Sequence, residues 1–482
     1  MPLDFQAIDS ASRLVVEAGL EVATGGGGRF QPTGFPDLGP ALYKGADGCN
    51  WLLVESPQSM ANRLERVCWV DGDGDVDRVG RYNDACNGIP YVLATDTDNR
   101  PLTASTLEAH RLSSPYIWDT RPFADPDDKA KQVTFAEYLK GLFSLADNRL
   151  VPWKKVADGL VIVDPGCLLH GVWFNEASFA GGKVRVTRAL SGYIEARDPS
   201  AANFGFQKRD GVSDRTDKEA GQSAAEGYGS VIGPKQHFTS AEIKAYFQID
   251  LERLRSYGLS TERVRALAAW AIYKIRRVLV SSRDGVADLR TECKFEVARR
   301  KKKCDSDDVD DKIAPETEEA IDCWWIDQES GKRMPYGLPA IDAELKSAFA
   351  SLKITLPGKP DEFRLPIVVR WVPSVEGKAE LPEDMKDEAI HRHGLESKIK
   401  IETPKQKKGR NQQQTRPKRF LIIFGEWSAD DKNILRSQNP EDPAKGVVEK
   451  AIRDHEARWE AKAQSRKPQK PDDEEQEDGE DE

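Results

Sequence analysis

No pair of the seven cysteines has CxxC spacing, and no apolar run is long enough to span a bilayer. The cysteine count is odd and the N-terminus carries no signal peptide, so reduced thiols in a cytoplasm are expected. A zinc site would have to be assembled from scattered Cys and His without the usual short spacing. No GK[ST] follows the glycines Gly25 to Gly28, which excludes a P-loop and leaves a flexible loop. Asp71, Asp73, Asp75 and Asp77 match the first half of an EF-hand loop. Val76, however, stands where the sharp turn needs glycine, and Tyr82 where a bidentate glutamate is needed, so a solvated acidic loop is expected. There is no HD pair, no DxD flanked by a second carboxylate motif and no Ser–His–Asp arrangement. Excess positive charge is missing too: the net charge is −10. Nine of the 81 acids crowd the last eleven residues, Asp472 to Glu482, with no base among them, so the remainder is near neutral. Net charge therefore decides nothing about nucleic acid, and clustering of cations does.

What is present centres on Arg29 to Glu65. A buried-strand run, Trp51 to Val54, leads to a helix with a clear start. Ser56 can cap it, Pro57 suits its first turn, and Met60, Leu64 and Val67 share one face. The opposite face carries Gln58, Ser59, Asn62, Arg63 and Arg66, with little negative charge before Glu65. Such a face suits a phosphate–sugar backbone better than a metal or an acyl group.

The chain of 482 residues, 39% hydrophobic, implies two domains or one with large insertions. Leu14 to Val22 reads as a strand, with a helix as the alternative. Strands are expected at Ile89 to Thr95, Gly159 to Asp164, Cys167 to Asn175, Lys183 to Ala196, Ile243 to Leu251 and Leu289 to Val297. Helices are expected over Ser105 to Leu112, from Thr134, and after Ser260. In the strand VRVTRALSGYIEA, Arg185, Thr187 and Ala189 alternate with Val184, Val186, Arg188 and Leu190, so at least one side is polar and partly basic. Residues 197–234 are rich in Gly, Ala, Ser and charge, with Phe204 and Phe206 among Lys208, Arg209 and other cations. Such a projection can track single-stranded nucleic acid, or be a loop that binds nothing. Arg276 and Arg277 near a helix end complement its dipole without any ligand. The run Arg299 to Lys303 is followed at once by aspartates and is as well explained by neutralisation as by RNA contact. Beyond residue 312 come short strand candidates at Ile367 to Val372 and Arg419 to Trp427. A basic, Gln-rich stretch from Lys398 to Arg419, a charged helix from Pro443 to Ala463 and an acidic disordered tail complete the chain. Strands alternating with few helices point to an α+β domain built on an antiparallel sheet. We divide the chain at residue 310, with an extension over 311–470 that is either part of the first domain or a separate interaction module, and a tail over 471–482.

RFQPTGFPDLG followed by LLVESPQSMANRLE resembles the opening of the RAMP-superfamily backbone subunit of type I-G (formerly I-U) CRISPR interference complexes. Leu107-Glu-Ala-His-Arg-Leu-Ser-Ser-Pro-Tyr116 resembles the same family. The resemblance covers roughly residues 10 to 300. It implies an RRM-like, ferredoxin-type palm with large insertions, 197–234 being the candidate thumb. It implies a non-catalytic protein without cofactor or metal, whose copies line up along a guide RNA and present it to a target DNA strand. Its partners would be the large subunit, a fused end-cap and guide-processing subunit, and a helicase-nuclease effector, with no membrane. RNA contacts are then expected from Arg29, Gln31, Gln58, Ser59, Asn62, Arg63, Arg188, Lys208 and Arg209, with His110, Arg111 and Tyr116 near the RNA. The alternative is a metal-dependent RNA endonuclease of the same superfamily, for which Asp37 and Asp71 to Asp77 are the candidates.

Overall fold

Alternation of apolar and polar residues along Ala11–Val22 (β1), Leu190–Arg197 (β3) and Glu242–Asp250 (β4) puts every second side chain into the core. These strands form the centre of an antiparallel sheet. Asn50–Glu55 (β2) flanks β3, and Ile321–Asp327 (β5) flanks β1, so the order is β5–β1–β4–β3–β2. Val16 lies opposite Phe247, Gly192 opposite Phe247 and Val16 opposite Cys323, which fixes the register across the middle. The helix Pro57–Arg66 (α1) connects β2 to the segment leading to β3, and Thr261–Val280 (α2) connects β4 to β5. Taken as β1, α1, β3, β4, α2, β5, this is the split βαββαβ order of a ferredoxin-type palm, with β2 added at one edge. The protein is thus α+β, as expected.

The structure is a computed structural model, and it describes residues 3–23, 27–35, 39–71, 80–95, 100–118, 120, 123–124, 132–145, 150–174, 184–208, 231–280, 295–301, 317–339, 341–352, 354, 366–370, 377–382, 399–403, 418–423, 433 and 443–464. Helix α2 runs through the core: Leu267, Ala268, Trp270, Ala271 and Ile275 are buried against the sheet and its flanking helices.

Several expectations change. Gly159 to Asp164 is the end of a helix, Trp153–Val163, and Cys167 opens another, Gly166–His170, before a strand at Val172–Phe174. The β-branched run Val161-Ile-Val163 favours a strand locally, but burial within the core overrides that preference. Ser105 to Leu112 is not an α-helix. Thr103 Oγ1 and Ser114 Oγ both donate to the Glu108 carboxylate, at 2.6 and 2.7 Å, and hold the segment in turns that end in one 3-10 turn, Arg111–Ser113. The strand expected over Lys183 to Ala196 is two, Val184–Val186 and β3, and the Leu289 to Val297 strand is described only as Phe295–Val297. The 197–234 insertion is anchored by a hairpin of Phe204–Lys208 with Val231–Lys235.

The boundary expected at residue 310 moves. The first compact unit is Met1–Trp371 and the second Val372–Glu482. β5 lies beyond residue 310 yet pairs with β1 in the palm, and Ile367–Arg370 pairs in parallel with Val92–Thr95. These pairings join residues far apart in sequence, so nothing local announces them. The second unit has a core of its own. Phe420–Ile423 is the centre of a three-stranded antiparallel sheet, and Leu421, Ile423 and Ile399 pack with Ala444, Val448 and Ile452 of the helix Pro443–Gln464.

Candidate nucleic-acid interface

Helix α1 begins as its sequence dictates. Ser56 Oγ accepts from the Ser59 amide at 3.3 Å, and Pro57 occupies the first turn. Met60, Ala61 and Leu64 are buried, which turns Gln58 and Asn62 out to solvent. The exposed side of α1 faces the 106–115 segment and the connection 185–188 across two adjoining hollows of about 580 and 730 Å³. Both are lined by Gln58, Ala109, Arg111 and Arg188, so they form one groove.

The groove is basic although the chain is acidic. Arg63, Arg66, Arg111, Arg185 and Arg188 line it against two carboxylates, Glu65 and Glu108. Both carboxylates are engaged internally. Glu108 accepts from Thr103 and Ser114, and Glu65 accepts from Arg111 Nε at 3.0 Å and Nη2 at 2.8 Å. Arg111 Nη1 also donates to the Gly171 carbonyl at 3.1 Å. Burial works against the Arg111 cation, but Glu65 outweighs it and the pKa is raised. For Arg188, burial and then the charge of Arg111 lower the pKa. Its Nη1 donates to the Pro57 carbonyl at 3.0 Å and ties the connection before β3 to the start of α1.

Of the residues expected to meet RNA, the groove gathers Gln58, Ser59, Asn62, Arg63, His110, Arg111 and Arg188. Two of them hold the protein itself together. Arg63 Nε lies 3.4 Å from the carboxylate of Glu55, whose side chain is 1% exposed. Arg111, at a positive φ of 49°, is committed to Glu65 and Gly171. Their sequence positions mark them as surface cations; only the fold supplies buried acceptors within their reach. Arg29, Gln31 and Tyr116 do not line the groove. Arg29 and Gln31 flank Phe30, whose amide donates to the Phe238 carbonyl at 2.9 Å at the foot of the insertion. Tyr116 is exposed on the short helix Pro115–Trp118. The backbone of Lys208 ends the first strand of the 204–235 hairpin, while Arg209 lies outside the described residues.

The groove also contains Trp173, which no motif along the chain singles out. Trp173 stands opposite Arg185 in a two-stranded hairpin, 54% exposed, with the guanidinium 5.6 Å from the ring centroid. Alternation was the available signal, since Val172, Phe174, Val184 and Val186 are all buried. Gly171 enters this hairpin at φ 81°, where a Cβ would sit 2.9 Å from the Val186 carbonyl oxygen.

The open face of the sheet has a different character. Tyr193 and Tyr246 stack there at 5.2 Å, and Tyr43 donates to Glu195. Burial, then Glu17 and Glu195, raise the pKa of Tyr246. This acidic, aromatic surface suits phosphate less well than the groove does. Asp37, Asp73, Asp75 and Asp77 lie outside the described residues, and Asp71 is paired with Arg66. Among the described residues no group of three or more His, Cys, Asp or Glu could hold a metal ion, and no helix is long and apolar enough to cross a membrane. Cys49, Cys68, Cys86, Cys167 and Cys323 are free thiols.

No curated protein matches the chain. Among solved structures, a chain of a CRISPR RNA-guided surveillance complex, pre-nicking, aligns at 9% identity over 54% of this chain and 71% of that one, with a TM-score of 0.27, a likeness too slight to argue from. Residues 14–200 match the model of the family described as CRISPR-associated protein GSU0053. From within β1 into the strand after β3, and so across every residue lining the groove, the chain is similar to a family of CRISPR-associated proteins.

Proposed function

We propose that this protein is a non-catalytic backbone subunit of a CRISPR interference complex of the type I-G kind. Several copies hold the guide RNA along its phosphate backbone and present it for pairing with target DNA. The observation that carries this reading is the groove, where cations line the polar face of α1 while the carboxylates are bonded within the protein. A guide must be gripped whatever its sequence, so arginines for phosphates and amides or hydroxyls for riboses are the chemistry required. The family similarity over residues 14–200 supports the CRISPR setting.

The test is co-expression with a guide RNA and purification of the assembly. Wild-type protein should carry RNA and run as a multi-copy particle. Gln58→Ala with Asn62→Ala should lose RNA retention while melting normally, because both side chains face solvent. An RNA-free monomer that fails to join guide RNA in reconstitution would overturn the proposal.

A further inference from the structure

We infer that the Trp173–Arg185 end of the groove is a subsite for one unpaired nucleotide: its base stacks on Trp173 and its phosphate lies against Arg185 and Arg188. This rests on the RNA reading of the groove and names a contact within it. Three observations converge.

The first is the platform. Val172–Phe174 and Val184–Val186 are held by the burial of their outer residues, which projects Trp173 and Arg185 outward as a cross-strand pair. A tryptophan offers a large apolar area, and more than half of this one's surface is exposed on the groove. A ring with a guanidinium beside it is the combination that receives a base and its phosphate together.

The second is the placement. Gly171 admits the hairpin to the groove wall, and its carbonyl takes a hydrogen bond from Arg111, so the platform is anchored to the same arginine that braces α1. Arg188 continues the line of cations toward Pro57.

The third is an orphaned donor. His170 lines this end of the groove and is 3% exposed. Lys274 Nζ lies 2.8 Å from His170 Nε2, and an ammonium only donates, which places the ring proton on Nδ1. Nδ1 has no hydrogen-bond partner among the described residues. A buried N–H on a residue that lines the hollow calls for an acceptor, and a small shift of the wall brings it within reach of a phosphate or ribose oxygen bound there. Stacking tolerates any base, as a guide of variable sequence demands.

The experiment uses the full-length protein and single-stranded RNA oligonucleotides carrying 2-aminopurine at successive positions. Wild type should quench one position, and 5-iodouridine placed there should photocrosslink to Trp173. Trp173→Ala should abolish the quench and weaken binding by about tenfold. Trp173→Phe should keep most of both. Arg185→Gln should keep the quench while reducing the slope of log affinity against log salt by about one. If wild type binds RNA and Trp173→Ala binds equally well with the quench intact, the stacking subsite is wrong and the guide-RNA reading stands. If wild type binds no RNA at any salt, both fall.

Discussion

Two arginines show how one residue type serves two ends. Arg63 and Arg111 line the groove, yet each is set against a carboxylate buried in the palm. Replacing either with alanine removes the cation beside a carboxylate withdrawn from water. Arg63→Ala and Arg111→Ala should each cost about 1–3 kcal/mol in urea unfolding, with Arg63→Glu worse because it sets like charges together. Arg185, beside an exposed ring, should show no such cost. Titration is a second property at this scale. Asp164 is fully enclosed, and burial raises its pKa to about 6 even though the Gly166 amide donates to it at 2.9 Å. In the unfolded chain it titrates near about 4. Between these values the native state keeps a proton that the unfolded state has released, so this group lowers stability as pH rises from about 4 to about 6. Asp164→Asn lacks that loss and should gain on wild type over the same window, as denaturation at both ends would show. His170 acts in the opposite direction. Burial first, then Lys274, Arg111 and Arg188, push its pKa well below 6.5, so the unfolded chain takes up the proton first and stability falls as pH drops below about 6.5.

Among the elements, α1 is legible because its signals are local. The Ser56 cap, the proline in the first turn and the spacing of Met60 and Leu64 all lie within ten residues, and each is found as expected. Ser56→Ala should cost about 1 kcal/mol of stability and weaken RNA binding, since the cap aims the first turn at the groove. Thermal melts and filter binding on one preparation would measure both effects. The Trp153–Val163 helix and the 105–112 turns were misread because the deciding partners are tertiary or lie in side chains competing with the backbone. Glu108 is informative here: on a helix it would be a surface acid, but it bonds Thr103 and Ser114 and holds the turn. Both strands of the Trp173 hairpin fall within expected strands, Cys167 to Asn175 and Lys183 to Ala196, but no local pattern links the two segments, so neither their pairing nor the exposure of Trp173 is legible along the chain.

On the scale of the molecule, charge is partitioned in a way that composition conceals. A net charge of −10 coexists with a groove of five arginines, because nine acids sit in the tail and the two carboxylates that line the groove are bonded within the protein. Binding should therefore weaken steeply with salt despite the acidic pI, and deleting Asp472 to Glu482 should leave the slope unchanged. The unit boundary carries its own test. A chain ending at Trp371 retains β5 beside β1 and should unfold cooperatively; one ending at residue 310 exposes the edge of β1 and should aggregate. Near-equal solubility and cooperativity of the two truncations would refute this placement of β5.

Sequence alone was enough for the fold class, for α1 with its polar outer face and for the strand β4, and it favoured a strand over a helix at β1. Each rests on a period, a cap or a motif carried by neighbouring residues. Tertiary structure was needed to bring Arg188 and Arg185 to α1, to pair Arg111 with Glu65 and Arg63 with Glu55, and to carry the palm past residue 310. Those outcomes depend on which distant segments share a strand edge or a buried wall. A pattern running along the chain cannot encode that choice, because it is made by packing in three dimensions.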